Sequence, residues 1–375
     1  MNKKLLTLLA LFVYLAHARA QNLTLPPSGG NQKASVTQYM GLVSVTITYN
    51  SPDVHAPDGT DRKGKIWGEL VHTGFIDQNF GTSKAAPWRA GANENTTVTF
   101  SHDVLVNGKP IRAGTYGLFL AYEKDGASTW IFSNNSTSWG SYFYDPKEDA
   151  LRVQTTAEDA PYTEWLTFDF ANRALSSAVA YLQWENKRFP FTVSVPNIHA
   201  LYVDKLREEL RSSKGFNYQS WASAAQYCAQ NKINLEEALT WADYAINGTF
   251  IGQENFTTLQ TKSVVLDALG RNAEAEQVMT KAIHLPTATV QEIHQYGRML
   301  LAAGKKEKAM DVFKLNRQKH PEDTFTTYVG LARGYTALGD KKNAIRNWEI
   351  AIRNLPENQK QNKAVYESEL NKLKS

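Results

Sequence analysis

A glycine, an alanine and a proline recur in register through the second half of the chain, and nothing else in the sequence restricts its fold as much. Gly270, Gly304 and Gly339 each stand five residues before Ala275, Ala309 and Ala344, and Pro286, Pro321 and Pro356 close the units, giving a period of about 35 residues. A helix-turn-helix unit of that length cannot bury its own apolar face, so successive copies must stack on a shared core. Helical spacing begins earlier, with Leu201, Val203, Leu206 and Leu210, which places a linker with a helix over residues 197–220. The runs WASAAQYCAQ and LEEALTWADYAI fit a first repeat that lacks the glycine and the proline, the repeats together spanning 221–356. KAVYESELNKLKS fits a polar capping helix within 357–375.

Upstream of Pro196 the period is two. Val43, Val45, Ile47 and Tyr49 alternate with Ser44, Thr46 and Thr48, the pattern of a half-buried strand. Asn107-Gly108 stands between extended runs, the strongest short hairpin signal because both residues tolerate positive φ. A second hairpin is expected around Lys124 to Gly126, and alternation returns at EWLTFDF, AVAYLQW and FPFTVSV. Roughly ten short strands separated by Gly, Asn, Asp and Pro turns predict an antiparallel sandwich or flattened barrel, placed over residues 34–196. The expected fold class is therefore two-domain, an all-β half followed by an all-α solenoid.

The chain opens MNKKLLTLLALFVYLAHARAQ, with Lys3 and Lys4, an apolar run from Leu5 to Ala16, then Ala18 and Ala20. That layout predicts a cleaved export signal over 1–20, its apolar run being too short for a membrane anchor. The expected product is exported, periplasmic or secreted, with no integral membrane segment after cleavage. No cysteine follows the signal, which argues against a lipoprotein, and Cys228 is the single cysteine, expected as a buried helical thiol without a disulfide. Residues 21–196 hold 14 Lys and Arg against 17 Asp and Glu, and residues 197–375 hold 24 against 20. That near balance gives no basis for a nucleic-acid or anionic-membrane partner.

Tyr328, Leu331, Ala332, Tyr335, Ala344, Trp348, Ala351 and Pro356 have the spacing of the tetratricopeptide repeat, which the last unit resembles closely. The unit before it is similar through Gly297, Ala309, Phe313 and Pro321 but has Asn316 where a small residue is usual. The resemblance implies a concave groove that binds a protein or peptide. It would be lined by Thr257, Gln260, Val264 and Asp267, then Gln291, His294, Arg298 and Leu301, then Thr326, Val329, Arg333 and Thr336. Arg298 and Arg333 would stand at equivalent positions of adjacent repeats, either taking a peptide carboxylate or simply solvated.

The blocks GKIWGELV, PWRAGANENTTVTFSHDVLVNGKPIRAGTYGLF, SWGSYFYDPKEDALRV and LQWENKRFPFTVSV resemble, in order and spacing, the domain-of-unknown-function family 2911, found in exported bacterial proteins. The resemblance implies a small β-rich domain in an envelope or secreted protein and carries no established activity. Between GELV and PWRAGANE the chain has the longer connection HTGFIDQNFGTSKAA. His72 stands where the family commonly has proline, so ELVH is not read as a metal motif.

Within PWRAGANENTTVTF, Arg89 is a permanent five-donor fork, Asn93 both donates and accepts, Glu94 accepts a proton or a hydrogen bond, and Gly91 lets the backbone approach a ligand. Two readings stay open. In one, Trp88, Arg89, Asn93 and Glu94, with Trp139, Tyr142, Asp149 and Arg152, ring a glycan or peptide, and Trp67 and Tyr144 add stacking faces. In the other, Arg89 pairs with Glu94 or Asp149, Asn93 satisfies loose turn groups, and the tryptophans are core. Glu94 with Asp103 or Asp149 would be the paired carboxylates of an envelope hydrolase acting on a glycan or peptide, Glu94 being the candidate catalytic residue and Arg89 holding an anionic group. GxSxG, HExxH, a phosphate-binding glycine loop and clustered cysteines are absent, and DGTDRKG lacks the later oxygen ligands of a calcium loop. No metal and no cofactor are expected. The leading expectation is a noncatalytic binding or scaffolding protein, with the β-domain contacting a ligand or the envelope and the repeats a protein partner.

Overall fold

The computed structural model of the protein describes residues 30–56 and 58–375; the export signal expected over 1–20 lies outside them. The chain divides into two compact units, the first ending at Ile198 and the second beginning at His199. Among the described residues no helix is long and apolar enough to cross a membrane.

The first unit holds β1 (Gln32–Met40), β2 (Val43–Ser51), β3 (Thr97–Phe100), β4 (Val104–Val106), β5 (Lys109–Ile111), β6 (Gly114–Ala121), β7 (Ala127–Ser133), β8 (Asp149–Thr156), β9 (Glu158–Ala171) and β10 (Ser177–Ser194). One sheet has the order β1-β2-β3-β6-β7-β8 and the other β5-β4-β10-β9, and the ladders are antiparallel. Alternation dictates the packing: Val43, Val45 and Ile47 are buried while Ser44, Thr46 and Thr48 are only half-buried. Aromatic rings from the two sheets meet between them, Tyr49 with Phe168 at 5.0 Å, Trp130 with Phe191 at 5.4 Å and Phe132 with Phe191 at 5.6 Å between centroids. Each such buried aliphatic or Phe side chain contributes about 1.5–3 kcal/mol, and the two inner faces make the core of a sandwich.

The β4–β5 turn forms as its sequence requires, with Asn107 at φ 46° and Gly108 at φ 76°. AVAYLQW and FPFTVSV, which read as separate alternating runs, belong to the single strand β10. The period breaks where Trp184 and Glu185 are both buried, the register against β9 shifts on either side of Glu185, and Glu185 itself adopts φ 48°. Such irregularities re-aim side chains without ending a strand. The stretch between β2 and β3 has no long ladder and is held by isolated bridges, Asp53 to Trp165, Thr73 to Tyr122 and Trp88 to Leu120. It nevertheless buries Val54, Ile66, Val71, Ala86, Trp88 and Ala90.

The second unit contains α1 (Ile198–Leu210), α2 (Tyr218–Asn231), α3 (Leu235–Asn247), α4 (Phe256–Ala268), α5 (Asn272–His284), α6 (Val290–Ala302), α7 (Lys306–Lys319), α8 (Thr326–Leu338), α9 (Lys341–Arg353) and α10 (Lys363–Lys374). Helices α2 to α9 pack as consecutive hairpins. The recurrent Gly270, Gly304 and Gly339 sit at φ 78°, 75° and 80° in the turns that join the hairpin arms, a left-handed conformation that glycine adopts without a Cβ clash. Ala275, Ala309 and Ala344 are buried. One apolar cluster runs from Phe256 of α4 through Met279 and Ile293 to Phe313 of α7. The helix expected within 197–220 is α1, and it places Val203 and Leu210 in a cluster with Ala224, Cys228 and Trp241. Helix α10 covers the other end, Leu370 joining Val329, Trp348 and Ala351. Asn316, in a position where a small residue was expected, is fully buried, and its Nδ2 donates to the Val290 carbonyl at 2.9 Å. Burial pushes the Cys228 thiol up from its ordinary range, which keeps it a packed thiol and not a nucleophile.

Candidate functional site

The irregular stretch between β2 and β3 meets the loop between β7 and β8 over the middle of β10. An aromatic cluster forms the floor: Trp67 packs against Trp88, Tyr122, Trp184 and Phe189, with centroids 5.8, 5.2, 6.4 and 4.9 Å away. Trp88 and Trp184 lie nearly parallel, 15° apart at 6.3 Å. The indole N–H groups are spent on the backbone, Trp67 donating to the Trp184 carbonyl at 3.3 Å and Trp184 to the Glu164 carbonyl at 3.1 Å. Above this floor opens a cavity of about 550 Å³ lined by Asn31, Pro52, Arg62, Leu70, His72, Gln78, Trp88, Arg89, Gly91, Ala92, Tyr142 and Trp184. That volume lies within the range of small-molecule sites.

Arg89 is the best placed charge in the wall. Its Nη1 donates to the Asn93 carbonyl at 2.7 Å, and its guanidinium lies over the Tyr142 ring, 4.9 Å from the centroid. Nε and Nη2 make no hydrogen bond among the described residues. Gly140, at φ 65°, makes room for this fork, since a Cβ there would come within 2.2 Å of the Arg89 Cζ. Arg62 is more committed: Nε and Nη2 donate to the Val54 and Asp53 carbonyls at 3.2 and 2.9 Å, and Asp53 Oδ1 is 4.0 Å away. No aspartate or glutamate is among the residues lining the cavity. His72 and Gln78 add neutral polarity. Burial pushes the His72 imidazole down, with the Thr73 backbone opposing, so the ring is neutral at pH 7. Both of its nitrogens, and Gln78 Oε1, are buried without a hydrogen-bond partner among the described residues.

Several expected site residues stand elsewhere. Asn93, at φ 58°, accepts from Asn31 Nδ2 at 3.3 Å. Glu94 neither lines the cavity nor pairs with Arg89; it accepts from Asn50 Nδ2 at 2.6 Å and faces Lys33 at 3.7 Å. A hydrogen bond from its own backbone amide, helped by Asn50 and Lys33 against a burial penalty, holds its carboxyl below the usual range. Asp149 and Arg152 form a separate knot with Tyr144: Arg152 Nε donates to Asp149 Oδ2 at 2.6 Å, Tyr144 donates to the same oxygen at 2.8 Å, and Arg152 Nη2 donates to the Tyr144 oxygen at 2.7 Å. The pairings Arg89 with Glu94 and Arg89 with Asp149 are therefore both replaced, because Glu94 meets Asn50 of β2 and Lys33 of β1 and Asp149 meets Tyr144 and Arg152 close by in sequence. Trp139 is 56% exposed and is not core. Arg62, Leu70, Gln78 and Trp184 were not singled out in the sequence, and His72 was named only to set aside a metal motif. Only the indole of Trp184, in a block already resembling a family, offered any signal.

In the helical unit the expected groove residues divide. Gln260 is half-buried, with Nε2 3.9 Å from Met299 Sδ, and Asp267 and Arg298 are exposed. His294, Thr326 and Val329 are buried instead, His294 packing on Phe313 with centroids 5.6 Å apart and Val329 packing with Trp348 and Leu370. Arg333 lies over Trp348 at 5.8 Å with its Nε lacking a hydrogen-bond partner. Neither Arg298 nor Arg333 has an acidic partner within salt-bridge distance among the described residues.

Residues 31–193 match the family described as Protein of unknown function (DUF2911). No curated protein matches the chain.

Proposed function

We propose that the chain is an exported, noncatalytic binding protein in which the β unit holds a small polar ligand and the helical unit holds a protein partner. The cavity carries the first half of this reading: an indole floor, an arginine fork braced on Tyr142 with donors unused among the described residues, and no carboxylate among the described residues of its wall. Glu94, which a hydrolytic reading needs as acid or base, lies outside that wall and is held ionised, a poor state for a general acid. The export signal layout supports placement outside the cytoplasm.

Gly140→Ala tests the ligand half without removing any cavity side chain. The new methyl displaces the Arg89 fork, and the positive φ costs about 1–2 kcal/mol. Sugars, sugar acids and short peptides are titrated against the intrinsic tryptophan fluorescence of the full chain. A member of this panel is expected to bind, and Gly140→Ala to weaken it by about tenfold or more while far-UV circular dichroism is unchanged. A panel in which nothing shifts the fluorescence refutes the reading.

The hairpin repeat, its glycine turns and its buried alanines support a tetratricopeptide-like solenoid, whose exposed Arg298 and half-buried Arg333 would meet an acidic peptide terminus. Peptides with a free C-terminal carboxylate are expected to bind more tightly than the same peptides amidated. Replacing both arginines with alanine should erase that difference in fluorescence anisotropy; equal binding of the two peptide forms to the unaltered chain would remove the arginines from the reading.

A further inference from the structure

Building on the reading of the cavity as a ligand site, we infer that its ligand class is an acidic sugar, a hydroxylated ring carrying a carboxylate. Charge sets the first restriction. Arg89 keeps Nε and Nη2 free of partners among the described residues, Arg62 adds a second cation spent on backbone carbonyls and on Asp53, 4.0 Å away, and no carboxylate is among the described residues lining the cavity. A carboxylate is the group that a planar fork receives best. The same absence of acidic side chains from the wall disfavours free amino acids and peptide N-termini, whose ammonium would find no counter-charge there.

The uncharged wall sets the second restriction. His72 offers one ring N–H and one ring nitrogen acceptor when neutral, and Gln78 Oε1 is a further acceptor; all three atoms are buried and unpartnered. Leaving them so is costly, and a ligand that partners them gains affinity. A hydroxyl both donates and accepts, so a ring bearing several hydroxyls satisfies this mixed set where a simple anion does not. Trp88 and Tyr142 also line the wall, and aromatic surface suits the polarised C–H groups of a sugar ring.

The test uses the full chain and tryptophan fluorescence with D-glucuronate and D-galacturonate, the matching neutral hexoses D-glucose and D-galactose, the amide D-glucuronamide, and acetate. At least one uronate is expected to bind roughly 10- to 100-fold more tightly than its neutral hexose, with the amide behaving as the hexose and acetate binding more weakly than the uronate. Arg89→Gln should reduce that ratio to near one. The comparison among ligands on the unaltered chain stands even if the variant folds poorly. Equal affinity for uronate and hexose overturns the role of the carboxylate while leaving the cavity a ligand site. Acetate binding as well as a uronate overturns the role of the ring. Binding confined to peptides overturns the inference and keeps the broader reading, whereas silence from every sugar, acid and peptide overturns both.

Discussion

Phe313→Ala is expected to lower the stability of the helical unit by roughly 3–5 kcal/mol, the upper range for removing a buried aromatic ring. The reason lies in what surrounds it. Phe313 is fully buried, and the sites opposite its ring are glycines: a Cβ at Gly297, Gly330 or Gly334 would come within 2.4, 2.7 or 3.1 Å of it. The ring fills the space those three residues leave. Removing it leaves a cavity bordered on the glycine side by backbone, which cannot lean in, so relaxation by neighbours such as His294 and Met310 recovers only part of the loss. Chemical denaturation followed by far-UV circular dichroism measures the loss. Gly297→Ala should cost about 1–3 kcal/mol alone by overpacking and yet restore part of the stability when combined with Phe313→Ala. Additive losses in that double variant would show that the glycine and the ring do not share one space.

The second large effect comes with acid. His294 is 8% exposed, and burial, aided by the Arg333 and Arg298 charges and opposed by Asp323, lowers its pKa from 6.5 to about 4. The unfolded chain therefore takes up a proton at this residue over a range in which the folded chain does not. Stability from the neutral ring is complete above about pH 6.5 and drains away as the pH falls toward about 4, a total of roughly 3 kcal/mol. Unfolding free energies measured from about pH 7 to about pH 4.5 should decline more steeply for the unaltered chain than for His294→Leu. Parallel curves would place the imidazole in contact with water.

The two halves differed in how much their sequences disclosed, for reasons visible in single residues. Asn107-Gly108 and the three recurrent glycines were legible because positive φ is a local demand that few residues meet. Strand β2 was legible because one of its faces is buried and the other is not. The cavity was harder: Arg62, Leu70, His72 and Gln78 come from a stretch with neither period, tied to the sheets by isolated bridges such as Asp53 to Trp165 and Thr73 to Tyr122. Arg89 and Tyr142 were named as candidates, but what joins them is the open space over Gly140, which composition does not encode. His294 and Val329 occupy positions that repeat spacing assigns to a groove, but Phe313 draws His294 inward and Val329 joins the cluster of Trp348, Ala351 and Leu370.

Strand β10 has a consequence for how this core is indexed along the chain. Its buried residues are even-numbered at Ala178, Ala180, Leu182 and Trp184 and odd-numbered at Phe189, Phe191 and Val193. The irregularity at Glu185 is thus a change of parity, which lets one continuous strand serve two stretches of core whose side-chain phases would otherwise conflict. Trp184 stands at that phase boundary, in the floor of the cavity, so the site sits where the sandwich itself is out of step.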